Sequence, residues 1–332
     1  MDTPLYAHRL GRAYGPDSSR LALETSLRGP IDGLETDICL TSDGELVLVH
    51  DPYLPLSTTV SGWAHQASAA RIRAGAIRDR AGRPSAERPM TLGELLEATP
   101  ATLPIQLEVK AHADRALARR TADALCERLE TRPDRGRFEV LSFFSEVCER
   151  AAARGLKARL VAWADYEPQA LASWARDAGL VGVSIEHFLL GEALVDLMRA
   201  FGLSVNTGTV NHPALLSRIA RLEPDAVCTD RPHELRAAEL AAGRAGSAHE
   251  LADDPRVPVD QRRRPELEVV ELGARSQPPQ ALLGEAPVDE VVASVDVAAP
   301  VDLDRGIVAI AARAVGLEDH PATGGEGASQ GP

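Results

Sequence analysis

Glu35-Thr36-Asp37 sets two carboxylates two residues apart on Leu34 to Leu40, a run with strand character. On a strand both acids leave one face, while Leu34, Thr36 and Ile38 leave the other. Two carboxylates on one face repel each other unless a cation or a proton lies between them. The run turns at Ser42-Asp43-Gly44, a hairpin signal, and the strand that follows ends at His50-Asp51. Glu108-Val109-Lys110 repeats the same-face spacing, so Lys110 aims where Glu108 does. A short run from Leu5 ends in His8-Arg9. If these strand ends meet, hard oxygen donors gather beside imidazoles and permanent cations. That donor set suits Mg2+ or Ca2+ better than zinc.

What must bring them together is a regular alternation. Besides the first strand and Leu34 to Leu40, strands are expected at Pro104 to Lys110, Phe138 to Phe143, Ala158 to Trp163, Gly182 to Glu186, Ser204 to Thr209 and Ala226 to Thr229. Helical patterns fill the gaps, with starts at Pro16-Asp17-Ser18-Ser19 and Thr91. Others cover Asp114 to Leu129, Ser145 to Arg154, Pro168 to Ala178, Gly191 to Phe201, Pro213 to Arg221 and Pro232 to Ala242. Strands alternating with helices demand parallel pairing, and eight such units fit a (β/α)8 TIM barrel. Catalytic groups of that fold collect at the C-terminal strand ends. Those ends add Trp163, Glu186-His187, Asn211 and Asp230-Arg231 to the residues above. Trp163 is a candidate stacking group and Asn211 a hydrogen-bonding one. Glu186-His187 is a further polar contact rather than a ligand. Asp230 and Arg231 are expected to cap the last helix, with Pro232 in its first turn. Residues 63 to 90, rich in Arg, Gly and Pro, form a loop insertion on the same face.

The chain has 332 residues and a net charge of -13, which argues against a nucleic-acid partner bound through a basic surface. The N-terminus lacks a basic segment followed by an apolar one, and no apolar run is long enough to span a bilayer. The expectation is a cytoplasmic protein with no integral membrane segment. The four cysteines have no metal-type spacing and are expected as buried thiols. From Gly243 onward there is no Phe, Trp or Tyr but nine prolines, so residues 244 to 332 are expected to form a disordered or loosely folded tail. Such a tail is a candidate for docking an unknown partner.

The order and spacing of these motifs over residues 4 to 240 resemble the glycerophosphodiester phosphodiesterases, metal-dependent (β/α)8 barrels. The shared marks are His8-Arg9, Glu35-Thr36-Asp37, Asp43-Gly44, His50-Asp51, Glu108-Val109-Lys110 and Thr229-Asp230-Arg231-Pro232. The resemblance implies that Glu35, Asp37 and Glu108 hold one divalent cation, Mg2+ or Ca2+. It implies His8 and His50 as an acid–base pair, and Arg9 and Lys110 as phosphate ligands. The implied substrate is a small glycerophosphodiester, cut to sn-glycerol 3-phosphate and an alcohol. Alternatives are a lysophospholipase D or sphingomyelinase D-like activity, which needs an apolar groove beside the metal, and a non-catalytic phosphodiester-binding barrel. Four departures stand out. Leu10 follows Arg9 where the family has Gly, and Pro16-Asp17-Ser18-Ser19 replaces Pro-Glu-Asn-Thr. Gly208 stands where Trp is frequent, and Ser57 where Arg is frequent.

Overall fold

Alternating apolar residues extend the chain into strands, and the computed structural model describes residues 3–163 and 166–253. Among the described residues nine strands join one sheet: β1 (Leu5–Ala7), β2 (Gly33–Leu40), β3 (Leu46–Leu48), β4 (Ile105–Val109), β5 (Phe138–Ser142), β6 (Lys157–Ala162), β7 (Gly182–Glu186), β8 (Ser204–Gly208) and β9 (Ala226–Thr229). All except β3 pair in parallel. The order is β1-β9-β8-β7-β6-β5-β4-β2, and β1 pairs with β2 to close the ring. The expected eight-stranded TIM barrel is therefore the fold. β3 lies antiparallel to β2, with Ile38 opposite Leu48, as the Asp43-Gly44 turn predicts.

The helices follow in chain order: α1 (Arg20–Ser26), α2 (Ala69–Ala74), α3 (Leu92–Ala98), α4 (Arg115–Leu129), α5 (Ser145–Ala153), α6 (Pro168–Asp177), α7 (Glu192–Ala200), α8 (Pro213–Ala220) and α9 (Pro232–Asp253). Their starts obey local chemistry. Ser19 caps α1, Asp114 caps α4, and Thr91 forms a reciprocal capping box with Glu94 at α3. Pro168, Pro213 and Pro232 each stand in a first turn, where a missing N–H costs nothing. α9 runs beyond its expected end at Ala242, because an alanine-rich stretch offsets the helix cost of Gly243 and Gly246. Residues 254–332, most of the expected tail and docking segment, lie outside the described residues. No described helix is long and apolar enough to cross a membrane.

The main core lies between the barrel and its helices. Leu34, Ile38, Leu107, Val140, Ala158, Val183 and Val205 leave the sheet outward and are buried with Ala122 and Leu125 of α4 and Val147 of α5. Parallel barrel strands are buried on both faces, and here the inner face is largely polar. Gln106 and Arg159 both donate to Glu139 (2.9 Å each), below the catalytic end. Gly33 makes room for the Tyr6 ring, whose atoms lie 2.5 Å from where a Cβ at 33 would be. All four cysteines are buried and free, as expected.

Candidate active site

After β1 the chain turns sharply. Arg9 (φ 49°), Leu10 (φ 62°) and Gly11 (φ 96°) are all left-handed. Leu10 thus adopts a glycine-like conformation at the family's glycine position, at a cost of roughly 1–2 kcal/mol, offset because it is fully buried. The turn aims the Arg9 N–H at Glu35 Oε2 (2.9 Å) and leaves the His8 ring over the end of the barrel. His8 Nδ1 lies 2.7 Å from Asp230 Oδ1. A carboxylate only accepts, so Nδ1 carries the proton and Nε2, 3.8 Å from Glu35 Oε2, faces the site.

β2 and β4 are register neighbours, with Asp37 opposite Glu108. That pairing brings carboxylate oxygens of Glu35, Asp37 and Glu108 within 4.8 Å of one another, all buried. Lys110 bonds to Glu108 and lies 3.2 Å from Asp37 Oδ1. Arg9 is held by Asp17 (2.5 Å), the acid in the departed Pro-Asp-Ser-Ser segment. Burial, then the neighbouring Asp37, pushes the Glu35 carboxyl up to about 7. Burial would raise Asp37 too, but Lys110, His50 and Arg9 hold it down at about 2. Lys110 is itself pulled upward: burial opposes its charge, and Glu108 and Asp37 overrule it. Asp37 Oδ2 and Arg9 Nε are buried without hydrogen bonds and face each other at 3.8 Å. A buried triad of oxygen donors with an orphaned oxygen fits a hard divalent cation.

His50 extends from the end of β3, and its Nδ1 lies 3.0 Å from Asp51 Oδ1. Burial would raise Asp51, but His50 holds it below the usual carboxylate range. A cavity of about 190 Å³ is lined by His8, Arg9, Glu35, His50, Glu108 and Lys110, with Ser184, Glu186 and Gly208 on its far wall. Asp37 sits behind this lining.

Two expected contact residues stand apart from it. Trp163 follows β6 at the rim, 41% exposed and outside the cavity lining. The Asn211 amide is committed to Asp230: Nδ2 donates to Oδ2, and Oδ1 accepts from the Asp230 N–H, each at 2.9 Å. Asp230 is the correction. Its side chain is buried and takes His8, Asn211 and Arg80 (3.1 Å) instead of capping α9. Burial would raise its pKa, but His8 first, then Asn211 and the charge of Arg12, keep it below the carboxylate norm. The sequence signals were its place at the end of β9, which closes against β1, and the Thr229-Asp230-Arg231-Pro232 run. Arg80 belongs to the 63–90 insertion, which therefore does reach the catalytic face.

The geometry has counterparts elsewhere. The model of the glycerophosphoryl diester phosphodiesterase family matches residues 8–234. A glycerophosphodiester phosphodiesterase of Bacillus altitudinis is 37% identical over 60 residues, 18% of this chain and 24% of that protein. The chain thus aligns with about a quarter of that curated relative. Two solved structures share the fold. An Oleispira antarctica phosphodiesterase in complex with the product sn-glycerol-3-phosphate has a TM-score of 0.62 and 22% identity, over 71% of this chain and 96% of that one. A Parabacteroides distasonis glycerophosphodiester phosphodiesterase has 0.61 and 20%, over 73% and 98%. Identities this low speak for the fold alone. The family match is broader: it takes in His8, both acidic strands and the Thr-Asp-Arg-Pro turn that returns to His8, and by it the chain belongs to the glycerophosphoryl diester phosphodiesterase family.

Proposed function

We propose that this chain hydrolyses small glycerophosphodiesters to sn-glycerol 3-phosphate and an alcohol. The observation that carries the reading is one cavity lined by two carboxylate-anchored histidines and two cations, with a carboxylate triad in its wall, Glu35 and Glu108 at the surface and Asp37 behind them. Arg9 and Lys110 receive the phosphodiester; Asp17 and Glu108 hold them in place before it arrives. His8 and His50 work as a pair. With Nδ1 of each on a carboxylate, the two Nε2 atoms are left for proton transfer. One takes a proton from the attacking oxygen while the other gives one to the departing alkoxide. Glu35, Asp37 and Glu108 would hold a divalent cation of the Mg2+ or Ca2+ class. Such an ion supplies Lewis-acid polarisation of a phosphoryl oxygen.

The test is release of glycerol 3-phosphate from glycerophosphocholine in EDTA, Mg2+ or Ca2+. The expected result is loss in EDTA and recovery with one of the cations, together with a rise in melting temperature on adding that cation. Full turnover in EDTA would remove the metal role.

A second reading, hydrolysis of lipid phosphodiesters, draws on one feature. An apolar crevice of about 450 Å³ between α6 and α7 is lined by Ala162, Tyr166, Leu171, Ile185, Leu189 and Leu194, and Ile185 also borders the cavity. The sequence offers only the 63–90 insertion for such a groove, and that insertion is rich in charge rather than aromatics; the crevice lies elsewhere. Lysophosphatidylcholine assayed in parallel separates the two readings, since faster release of choline from it than from glycerophosphocholine favours the lipid.

A further inference from the structure

One cavity carboxylate has no part in the chemistry above. Glu186 ends β7 and lines the cavity, yet among the described residues its carboxylate makes no hydrogen bond and no ion pair. The cationic side chains lining the cavity are engaged with other carboxylates, Lys110 with Glu108 and Asp37, Arg9 with Asp17 and His8 with Asp230. His187 and His8 act on Glu186 electrostatically, without a hydrogen bond or ion pair to it. Glu186 is half-buried, and that burial pushes its carboxyl upward. An unpaired acid in such a place gains more from a cation than a solvated one does.

On the flanking strands its neighbours are small or apolar, while the catalytic candidates His8, Arg9, His50 and Lys110 line the same cavity. In the sheet register Glu186 stands opposite Gly208, which has no side chain. Leu141 and Val161 line the same cavity, and Ser184 and Thr209 are the hydroxyls on that side. On the other flank Ala162 pairs with Ile185 as the last rung between β6 and β7, and Trp163 and Glu186 each come next along their chains, Trp163 with much of its surface in solvent. A polyol would require several converging donors and acceptors. An ammonium group requires a carboxylate, an aromatic surface and aliphatic walls.

We propose that Glu186, with Trp163 beside it, forms a subsite for the positively charged end of the substrate's alcohol, a primary or quaternary ammonium. It makes the enzyme prefer cationic alcohols to neutral ones of similar size. This rests on glycerophosphodiester hydrolysis in the same cavity.

The experiment compares kcat/KM for glycerophosphocholine and for glycerophosphoglycerol, using the full chain with saturating divalent cation. Wild type should favour glycerophosphocholine. Glu186→Gln should lower the ratio by about tenfold, mainly through KM, as expected for losing one partly desolvated charge contact. Trp163→Leu should lower it several-fold, with Trp163→Phe restoring most of it. A ratio within twofold of wild type in both Glu186→Gln and Trp163→Leu overturns the subsite. Equal losses on both substrates also overturn it, because Glu186 would then serve the shared glycerol phosphate. No turnover of either substrate by wild type overturns hydrolysis itself, and the subsite with it.

Discussion

In the proposed reaction His8 serves proton transfer only while Asp230 fixes its tautomer. Asp230→Asn keeps the shape but offers an amide that can equally well donate to Nδ1, turning the free proton to the other nitrogen. Turnover should fall by on the order of 10²–10⁴-fold, with cation binding retained by calorimetry. A few-fold loss would mean that the pair is structural. Leu10 poses the opposite question, strain against burial. Leu10→Gly relieves a left-handed residue worth roughly 1–2 kcal/mol, but empties a fully buried site where truncation costs roughly 2–5 kcal/mol. Net destabilisation of about 0–4 kcal/mol is expected in urea unfolding. A more stable variant would show that strain dominates at this turn.

At the scale of elements, the 3-10 turn after β1 and the β2–β3 hairpin carry the histidines, and neighbouring segments steady them. Met90 accepts the Leu48 N–H (2.8 Å), and Thr91 bridges to Val47, so the start of α3 is tied to the strand that bears His50. Thr91→Ala removes the capping box. It should lower stability by about 1 kcal/mol, seen as a shifted denaturant midpoint, while turnover of the folded enzyme stays within a few-fold. A large loss of turnover at full folding would show that the cap also sets the His50 geometry. These elements were legible in the sequence because their signals are local: Asp-Gly at the hairpin, Thr-x-x-Glu at α3, Pro in the first turns of α6, α8 and α9. The end of α9 was not, since alanine propensity beyond Ala242 outweighed the glycines that mark a stop.

At the scale of the barrel, the interior is largely polar below the cavity as well as at it. Arg159 is buried against Glu139 at 2.9 Å, with Gln106 donating to the same carboxylate. Burial would raise Glu139, but Arg159 and Gln106 bring it below the ordinary value of 4.5. Because the folded-state pKa is the lower one, the unfolded chain binds the proton more tightly. The stabilisation is therefore complete above about pH 4.5 and is lost as pH falls through the folded value. Glu139→Gln should flatten the acid side of the melting-temperature profile. It should also cost roughly 3–5 kcal/mol at neutral pH by leaving Arg159 buried without a counter-ion. An unchanged acid limb would place the acid sensitivity elsewhere.

By itself the sequence determined the strand–helix alternation, the hairpin, the same-face spacing of Glu35 with Asp37 and Glu108 with Lys110, and so the barrel class. Each depends on periodicity or turn chemistry within a few residues. Only the tertiary structure decided which groups anchor the histidine. His8 and Asp230 are 222 residues apart and meet because β9 closes against β1. Arg80 reaches the same carboxylate from the insertion, and Asn211 turns from the mouth to hold it. Whether a strand-end acid caps a helix, binds an imidazole or stands unpaired like Glu186 is settled by competition among buried donors in space. Neighbours along the chain carry no record of that competition.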